Sequence, residues 1–442
     1  MINLEIKAQR PAIIQGYENE IYALVKASAS ENMNEKRDSL PLNLSIVIDR
    51  SGSMAGPPLE EAKKSAAYIV GKMREIDTIS IVAYDHSAKV VVPSQKVENK
   101  GAINAAINMI VEGGSTNLHQ GWLLGAEEVA KNKSSQSLNR VLLLSDGNAN
   151  QGETSENVIS DQCSQLAREG VITSTYGLGY GFNEDLMINM ARSGLGQSYY
   201  GETADDLFDP FQEEFDLLIN TFAWNLKLDV EAPDFVKFEL LNKYKAEENK
   251  PSCWHLSDLA EGGEAWALFR LKIKDPENTA KNLEVLRCNL NFQTKLNEEV
   301  KNNKVGPAKL ILDRLSPSAF NAIAEDEEVK RRLDEIMVAD MQDRARRAAL
   351  DGDWNRVNAL LNESKGLAGS NEWLSHSLGE LQKFAMERKT EHFSKEAMYS
   401  ADKMRRRLSS SDEIHASYEV SDELDKRAYL RRKISRGKRM SR

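Results

Sequence analysis

The amino-acid sequence predicts an α/β fold class, with a doubly wound, mostly parallel sheet inserted in an antiparallel β-sandwich and followed by a C-terminal helical region. Three observations lead there. Residues 40 to 215 alternate apolar strand-like runs with stretches of helical period, the pattern of a parallel sheet covered on both faces. The segments on either side alternate apolar and polar residues with period two, with no helix between them, as half-buried antiparallel strands do. From Ser316 onward the apolar period becomes helical.

Taken in order, "INLEIKAQRPAIIQGYENEIYALVKASAS" supplies the first period-two strands. "LNLSIVID" then reads as a buried strand, and "PLEEAKKSAAYIVGKM" as a helix whose Leu59, Ala62, Ala66, Ile69, Val70 and Met73 share a face. "TISIVAY" and "AKVVVP" are strands, "AINAAINMIV" and "LHQGWLLGAEEVAKN" helices, and "RVLLLSD" the next strand. The helix "NVISDQCSQLAREG", the strand "VITSTYGLG", the helix "EDLMINMARSG" and the edge-like "QSYYG" complete the alternation. "WNLKLDVEAPDFVKFELL", "EAWALFRLKIKD" and "NLEVLRCNLNFQT" return to period two. They are expected to pair with the N-terminal strands, because an isolated strand pair is only marginally stable. Beyond them "DGDW" breaks two amphipathic runs, the mark of an αα-hairpin. The expected division is a sandwich from 1–39 plus 222–303, a doubly wound domain over 40–221, a helical (αα-hairpin) region over 304–407 and a basic, flexible tail over 408–442.

A chain of 442 residues is too long for one hydrophobic core. The net charge of −10 is uneven: from Lys403 to Arg442 thirteen Lys/Arg stand against six Asp/Glu, so an acidic body carries a basic tail. No nucleic-acid-binding module accompanies that tail, so it reads as a solvated segment and nucleic acid is excluded as the expected partner. "MINLEIKAQRPAIIQ" lacks the pattern of a signal peptide, and no apolar run approaches the ~20 residues of a membrane span. Three widely separated cysteines, Cys163, Cys253 and Cys288, indicate neither a disulfide framework nor a Cys-rich metal site. A cytoplasmic protein is expected.

The polar residues at the carboxyl ends of the predicted strands carry the chemistry. Asp49, Ser51 and Ser53 lie in "DRSGS", Thr116 in "EGGSTNLHQGW" and Asp146 in "LLLSDGNANQG". In open α/β sheets this is where ligands bind. All five residues offer oxygen, and His119 is the only histidine in these loops. Hard oxygen donors suit Mg²⁺, Mn²⁺ or Ca²⁺ and argue against zinc. Gly52, Gly113, Gly114 and Gly147 stand beside them, where tight turns would bring backbone close to an ion.

Here the sequence resembles the von Willebrand factor A (VWA) family, whose metal-ion-dependent adhesion site (MIDAS) is D-x-S-x-S followed by a Thr and then an Asp on two later loops. Asp49, Ser51, Ser53, Thr116 and Asp146 match in order and spacing, over roughly residues 40 to 210. The flanks resemble those of multi-domain bacterial cytoplasmic VWA proteins more weakly. The resemblance implies a VWA/Rossmann-like fold in which Ser51, Ser53 and Thr116 bind the cation through hydroxyls. Asp49 and Asp146 would act mainly through waters and hydrogen bonds. It implies a non-enzymatic adaptor whose Mg²⁺, with Mn²⁺ or Ca²⁺ as alternatives, takes an Asp or Glu of a protein partner. An AAA+ ATPase of the MoxR type or a multiprotein complex is the partner class so implied. Truncating Asp49 or Asp146 is expected to leave the melt nearly unchanged or raised, since each charge is held close to the other.

Other readings explain less. Capping of the following helix would account for one of the serines or acids but not for five residues on three loops. A metal-dependent phosphatase or hydrolase needs a general base that the loops do not offer convincingly, and "RSGSM" is not a serine-hydrolase elbow. "YGLGYGF" lacks the spacing of a nucleotide-binding loop. A scaffold whose metal only stabilises the loops is the third alternative, and loss of binding on Asp49→Ala with an intact fold separates it from adhesion.

Overall fold

The computed structural model describes residues 1–29, 40–146, 149–179, 181–201, 214–215, 217–276, 280–296, 299–369, 371–406 and 409–410. The described residues fall into two compact units. One is bounded by Met1–Glu35, Phe222–Thr294 and Lys301–Arg442, the other by Lys36–Thr221 and Lys295–Val300. The tail expected over 408–442 lies, except for residues 409–410, outside the described residues.

The first unit begins with strands β1 (Ile2–Ala8), β2 (Ala12–Ile14) and β3 (Glu18–Ala29). The second unit begins with β4 (Leu42–Asp49), a single 3-10 turn at Gly52–Met54 and helix α1 (Pro57–Lys72). It continues through β5 (Thr78–Tyr84), β6 (Ala88–Lys96), α2 (Lys100–Asn108), α3 (Leu118–Lys131) and β7 (Leu138–Ser145). It closes with α4 (Glu156–Arg168), β8 (Val171–Leu178), α5 (Glu184–Ser193) and β9 (Leu195–Gly201).

These six strands form one sheet in the order β6-β5-β4-β7-β8-β9. All neighbours are parallel except the edge strand β6, which runs antiparallel to β5. Strands β4, β5 and β7 are buried along their whole length. That is why their sequences read as unbroken apolar runs: helices cover both faces. Helix α3 lies so close to the sheet that a methyl group at Gly121 would enter the ring of Tyr84. From β4 the chain first adds strands on one side and then, at β7, on the other. The crevice at the carboxyl ends of β4 and β7 is therefore the topological switch point, where such folds leave room for a ligand.

The first unit resumes with β10 (Thr221–Glu231), β11 (Val236–Leu240), β12 (Ala246–Glu247), β13 (Lys250–His255), β14 (Leu259–Ala260), β15 (Gly263–Lys274), β16 (Asn282–Leu296) and β17 (Glu299–Leu315). Helices α6 (Pro317–Asn321), α7 (Glu327–Leu350), α8 (Trp354–Ala368), α9 (Glu372–Met386) and α10 (Thr390–Arg406) follow, then the short β18 (Ser409–Ser410). One sheet runs β1-β3-β15-β11 with β18 on β15, the other β12-β13-β10-β16-β17-β2 with β14 on β10. Val25, Ala27, Ala267 and Phe269 from the first sheet share a core with Leu226, Leu228, Val285 and Leu312 from the second, which makes the pair a sandwich. Residues Glu18–Ser28 of β3 pair in antiparallel register with Glu264–Lys274 of β15, so the N-terminal strands are integral to the sandwich.

The structure departs from the sequence expectation in three places. Strand β17 reaches Leu315, where the sequence pattern starts the helical region at 304. Gly306 and Pro307 interrupt its apolar alternation, and Leu310 and Leu312 are its buried residues. Strand β2 pairs parallel with β17, so the sandwich is not wholly antiparallel. The helical region holds not one hairpin but α7 to α10, which share a core of Ala345, Val357, Leu361, Leu378, Phe393 and Met404 among others. Helix α7 also covers the outer face of β3 and β15, burying Leu24, Trp266 and Leu268 under Val329, Leu333 and Ile336. Among the described residues no helix is long and apolar enough to cross a membrane.

Candidate metal centre

Asp49 is the last residue of β4 and has no exposed surface. A buried carboxylate must have its oxygens satisfied. Its Oδ1 accepts the Ser51 backbone N–H at 2.8 Å, and its Oδ2 accepts the Ser145 hydroxyl at 2.7 Å and the Tyr84 hydroxyl at 3.2 Å. All three donors are neutral. Beyond the strand, the chain turns through the 3-10 segment, which places the Ser51 and Ser53 hydroxyls 3.2 Å apart. The Ser53 hydroxyl donates to Asp146 Oδ1 at 2.8 Å. Asp49, Ser51, Ser53 and Asp146 thus form one chain of hydrogen bonds across the mouths of β4 and β7.

Thr116 comes from the loop between α2 and α3. It is buried, its N–H donates to Asn150 Oδ1 at 3.0 Å, and its carbonyl accepts the Asn150 N–H at 3.1 Å and the Gln151 N–H at 3.3 Å. This ties it to the segment that follows Asp146. A second tie runs to the Asp49 loop: Gly113 N–H donates to the Arg50 carbonyl at 2.6 Å, and Gly52 N–H to the Gly114 carbonyl at 2.8 Å. All five residues singled out in the sequence therefore lie on three loops that are hydrogen-bonded to one another. Gly147, named with them, lies outside the described residues. The His119 ring is engaged outside this chain of bonds, its Nε2 2.7 Å from Gln162 Oε1.

The electrostatics are unbalanced. Burial pushes the Asp49 carboxyl above its usual range, against the pull of its hydrogen bonds. Burial also pushes Asp146 up to about 6; the Ser53 hydrogen bond opposes this and the charge of Asp49 adds to it. The nearby cation is committed elsewhere, Arg50 to Asp85 at 2.8 Å, and the His86 ring also lies 3.1 Å from the same Asp85. Among the described residues, neither Asp49 nor Asp146 has an ion-pair partner. Two carboxylates held in a crevice without a counter-charge, with hydroxyls between them, fit a hard divalent cation.

Sequence reasoning missed Asp85, Arg50, Tyr84, Ser145 and Asn150. Asp85 was within reach, since it follows the end of β5 as Asp49 ends β4, and the strand-end rule applies to both. Tyr84 and Ser145 read as core residues of their strands, and only the approach of β5 and β7 to β4 turns their hydroxyls toward Asp49.

The fold and crevice define a class: a doubly wound α/β domain with an oxygen-lined site at its switch point, carried in a chain with a β-sandwich and a helical region. Residues 43–213 match the von Willebrand factor type A domain family, and this part of the chain is a VWA domain. VWA domains are in general protein-interaction modules and typically not enzymes. The chain is 33% identical over 214 residues to an uncharacterized protein of Synechocystis sp., covering 47% of this chain and 48% of that one. It thus spans about half the length of that relative. A solved von Willebrand factor type A structure from Catenulispora acidiphila is similar with a TM-score of 0.69 at 15% identity, over 86% of this chain and 89% of that one. The ArnB paralog VWA2 from Sulfolobus acidocaldarius is similar with a TM-score of 0.61 at 17% identity, over 92% and 98%. At these identities the two structures speak for the fold alone.

Proposed function

We propose that this protein is a metal-dependent interaction module in which Asp49, Ser51, Ser53, Thr116 and Asp146 hold a Mg²⁺-class cation as an adhesion site. The observation that carries the reading is the pair of carboxylates without a counter-charge, bridged by the Ser51 and Ser53 hydroxyls. Ser51, Ser53 and Thr116 would supply neutral oxygens to the ion, while Asp49 and Asp146 supply charge and orient the hydroxyls and bound waters. When bound, the cation offers a Lewis-acidic position to an outside carboxylate. Mg²⁺ usually keeps several waters in such sites, and one of those positions would pass to a partner's Asp or Glu, whose negative charge offsets the cost of dehydration. Mn²⁺ and Ca²⁺ are the other ions this donor set accommodates.

The partner in this reading is a protein that presents an exposed acid, such as an AAA+ ATPase or another member of a multiprotein complex. The role is that of an adaptor, not an enzyme. All three cysteines are free and buried, which supports a reducing, cytoplasmic setting. The test is a pull-down with wild-type and Asp49→Ala protein in Mg²⁺ and in EDTA, beside calorimetry with Mg²⁺ alone. Proteins lost in both the variant and the EDTA lanes are the site's ligands. Mg²⁺ binding that survives Asp49→Ala, or turnover of a generic phosphoester, overturns the reading.

A further inference from the structure

Asp85 follows β5 directly and is only 1% exposed, yet it touches none of the five residues assigned to the ion by hydrogen bond. Its Oδ2 meets the Arg50 guanidinium at 2.8 Å, and its Oδ1 accepts the Ser87 N–H at 3.0 Å. Burial works against its charge, but the Ser87 N–H, the Arg50 guanidinium, His86 and the Gly114 N–H together hold its carboxyl below the usual range. The contacts of this pair converge on one segment, residues 111–117. Arg50 Nη1 donates to the Val111 carbonyl at 3.2 Å, the Arg50 carbonyl accepts from Gly113 at 2.6 Å, and the Asp85 carbonyl accepts the Asn117 N–H at 2.7 Å. A methyl group at Gly113 would fall inside the Asp85 carboxylate. The backbone of this segment is thus pressed against Asp85 in its middle and bonded at both ends.

We propose that Asp85, acting through Arg50 and the Gly113–Gly114 backbone, is the positioning residue that sets where the Thr116 hydroxyl stands relative to Ser51 and Ser53, and so makes the site selective for a small cation. The inference rests on the adhesion-site reading above. Thr116 is the only one of the three hydroxyls not on the Asp49 loop, so its placement depends on contacts between loops. Mg²⁺ requires near-octahedral oxygens at a short, fixed distance, whereas Ca²⁺ accepts longer bonds and variable geometry. A loosened Thr116 loop therefore penalises Mg²⁺ more than Ca²⁺.

The experiment is calorimetry of Mg²⁺ and Ca²⁺ binding to the full chain as wild type, Asp85→Asn, Gly113→Ala, Arg50→Gln and the Arg50→Gln/Asp85→Asn double variant, with Asp49→Ala as reference. Asp85→Asn is expected to weaken Mg²⁺ by about tenfold or more, the usual cost of removing a group that orients a metal ligand, and Ca²⁺ by clearly less. Gly113→Ala should shift the Mg²⁺/Ca²⁺ ratio in the same direction by displacing the carboxylate. The double variant should lose less than the sum of the two single variants, because both changes break the Arg50–Asp85 pair. A general loss of stability would lower both affinities alike, so an unchanged ratio in variants that keep the wild-type far-UV circular dichroism overturns the proposal. If Asp85→Asn fails to fold, Gly113→Ala and Arg50→Gln decide by the same ratio. Mg²⁺ binding that is equal in wild type and Asp49→Ala instead refutes the adhesion site itself, a result distinct from a normal Asp49-dependent site with an unaltered ratio.

Discussion

Replacing Asp146 by Asn removes a charge while leaving an oxygen to accept the Ser53 hydroxyl, so it reads out the combined cost of burying this charge and holding it near Asp49. In the metal-free protein the Asp146 carboxyl is pushed up to about 6 from an ordinary 3.8, by burial first and by Asp49 in addition. A shift of about two units corresponds to about 3 kcal/mol, and halving it for partial solvent access leaves about 1.5 kcal/mol. The sign follows from proton linkage. Above pH 6 the folded state carries an ionised, unfavourably placed Asp146 and bears the full penalty; as pH falls from 6 toward 4 the carboxyl takes a proton and the penalty disappears. In EDTA, Asp146→Asn should therefore be more stable than wild type by about 1.5 kcal/mol at pH 7.5, and the difference should vanish near pH 4. Saturating Mg²⁺ should reverse the order at pH 7.5, because a ligand that binds only the folded wild type adds stability. Urea melts at pH 7.5, 6 and 4.5, with and without Mg²⁺, measure all of this. A wild-type-to-variant difference in EDTA that stays constant across that range refutes the reasoning.

Asp49→Ala should abolish Mg²⁺ binding and, contrary to the expectation from the sequence pattern, lower stability in EDTA by about 1–3 kcal/mol, because it removes the buried acceptor shared by the Ser51 N–H and the Tyr84 and Ser145 hydroxyls; a melt at or above wild type would contradict this. Gly121→Ala forces a methyl into the Tyr84 ring and should cost about 1–3 kcal/mol as overpacking, read from a urea midpoint. Glu328, held at about 2 by Lys26 and Lys7 against its burial, contributes stability that is present above its unfolded value near 4.5 and lost as pH falls toward 2. Glu328→Gln should thus destabilise at pH 7 and make no difference near pH 2. Deleting residues 1–29 removes β1 to β3 from the sandwich, including the eleven-residue pairing of β3 with β15. The remaining chain should keep the cooperative melt of the doubly wound unit while the sandwich transition is lost; two unchanged transitions would show that the N-terminal strands are dispensable.

The sequence by itself determined the element types of the doubly wound unit and singled out the oxygen-bearing residues of its crevice. Strands β4, β5 and β7 are buried on both faces, so their identity is written in continuous apolar runs that need no partner to be read. Asp49 and Asp146 stand at strand ends that the parallel topology brings together, whereas Thr116, expected at a strand end, lies instead in the loop between two helices and reaches the crevice through contacts between loops. Period two likewise announced the flanking strands. It could not announce that β2 lies parallel to β17 or that β17 continues past Gly306 and Pro307, because pairing is chosen by distant strands and not by the residues of the strand itself. Only tertiary structure decided the surroundings of the carboxylates. Tyr84 and Ser145 look like core residues, and Arg50 like a surface charge, until the sheet order sets them around Asp49 and Asp85. Burial, repulsion and hydrogen bonding depend on separations of a few ångströms between residues far apart in sequence, and those separations come into being only when the chain folds.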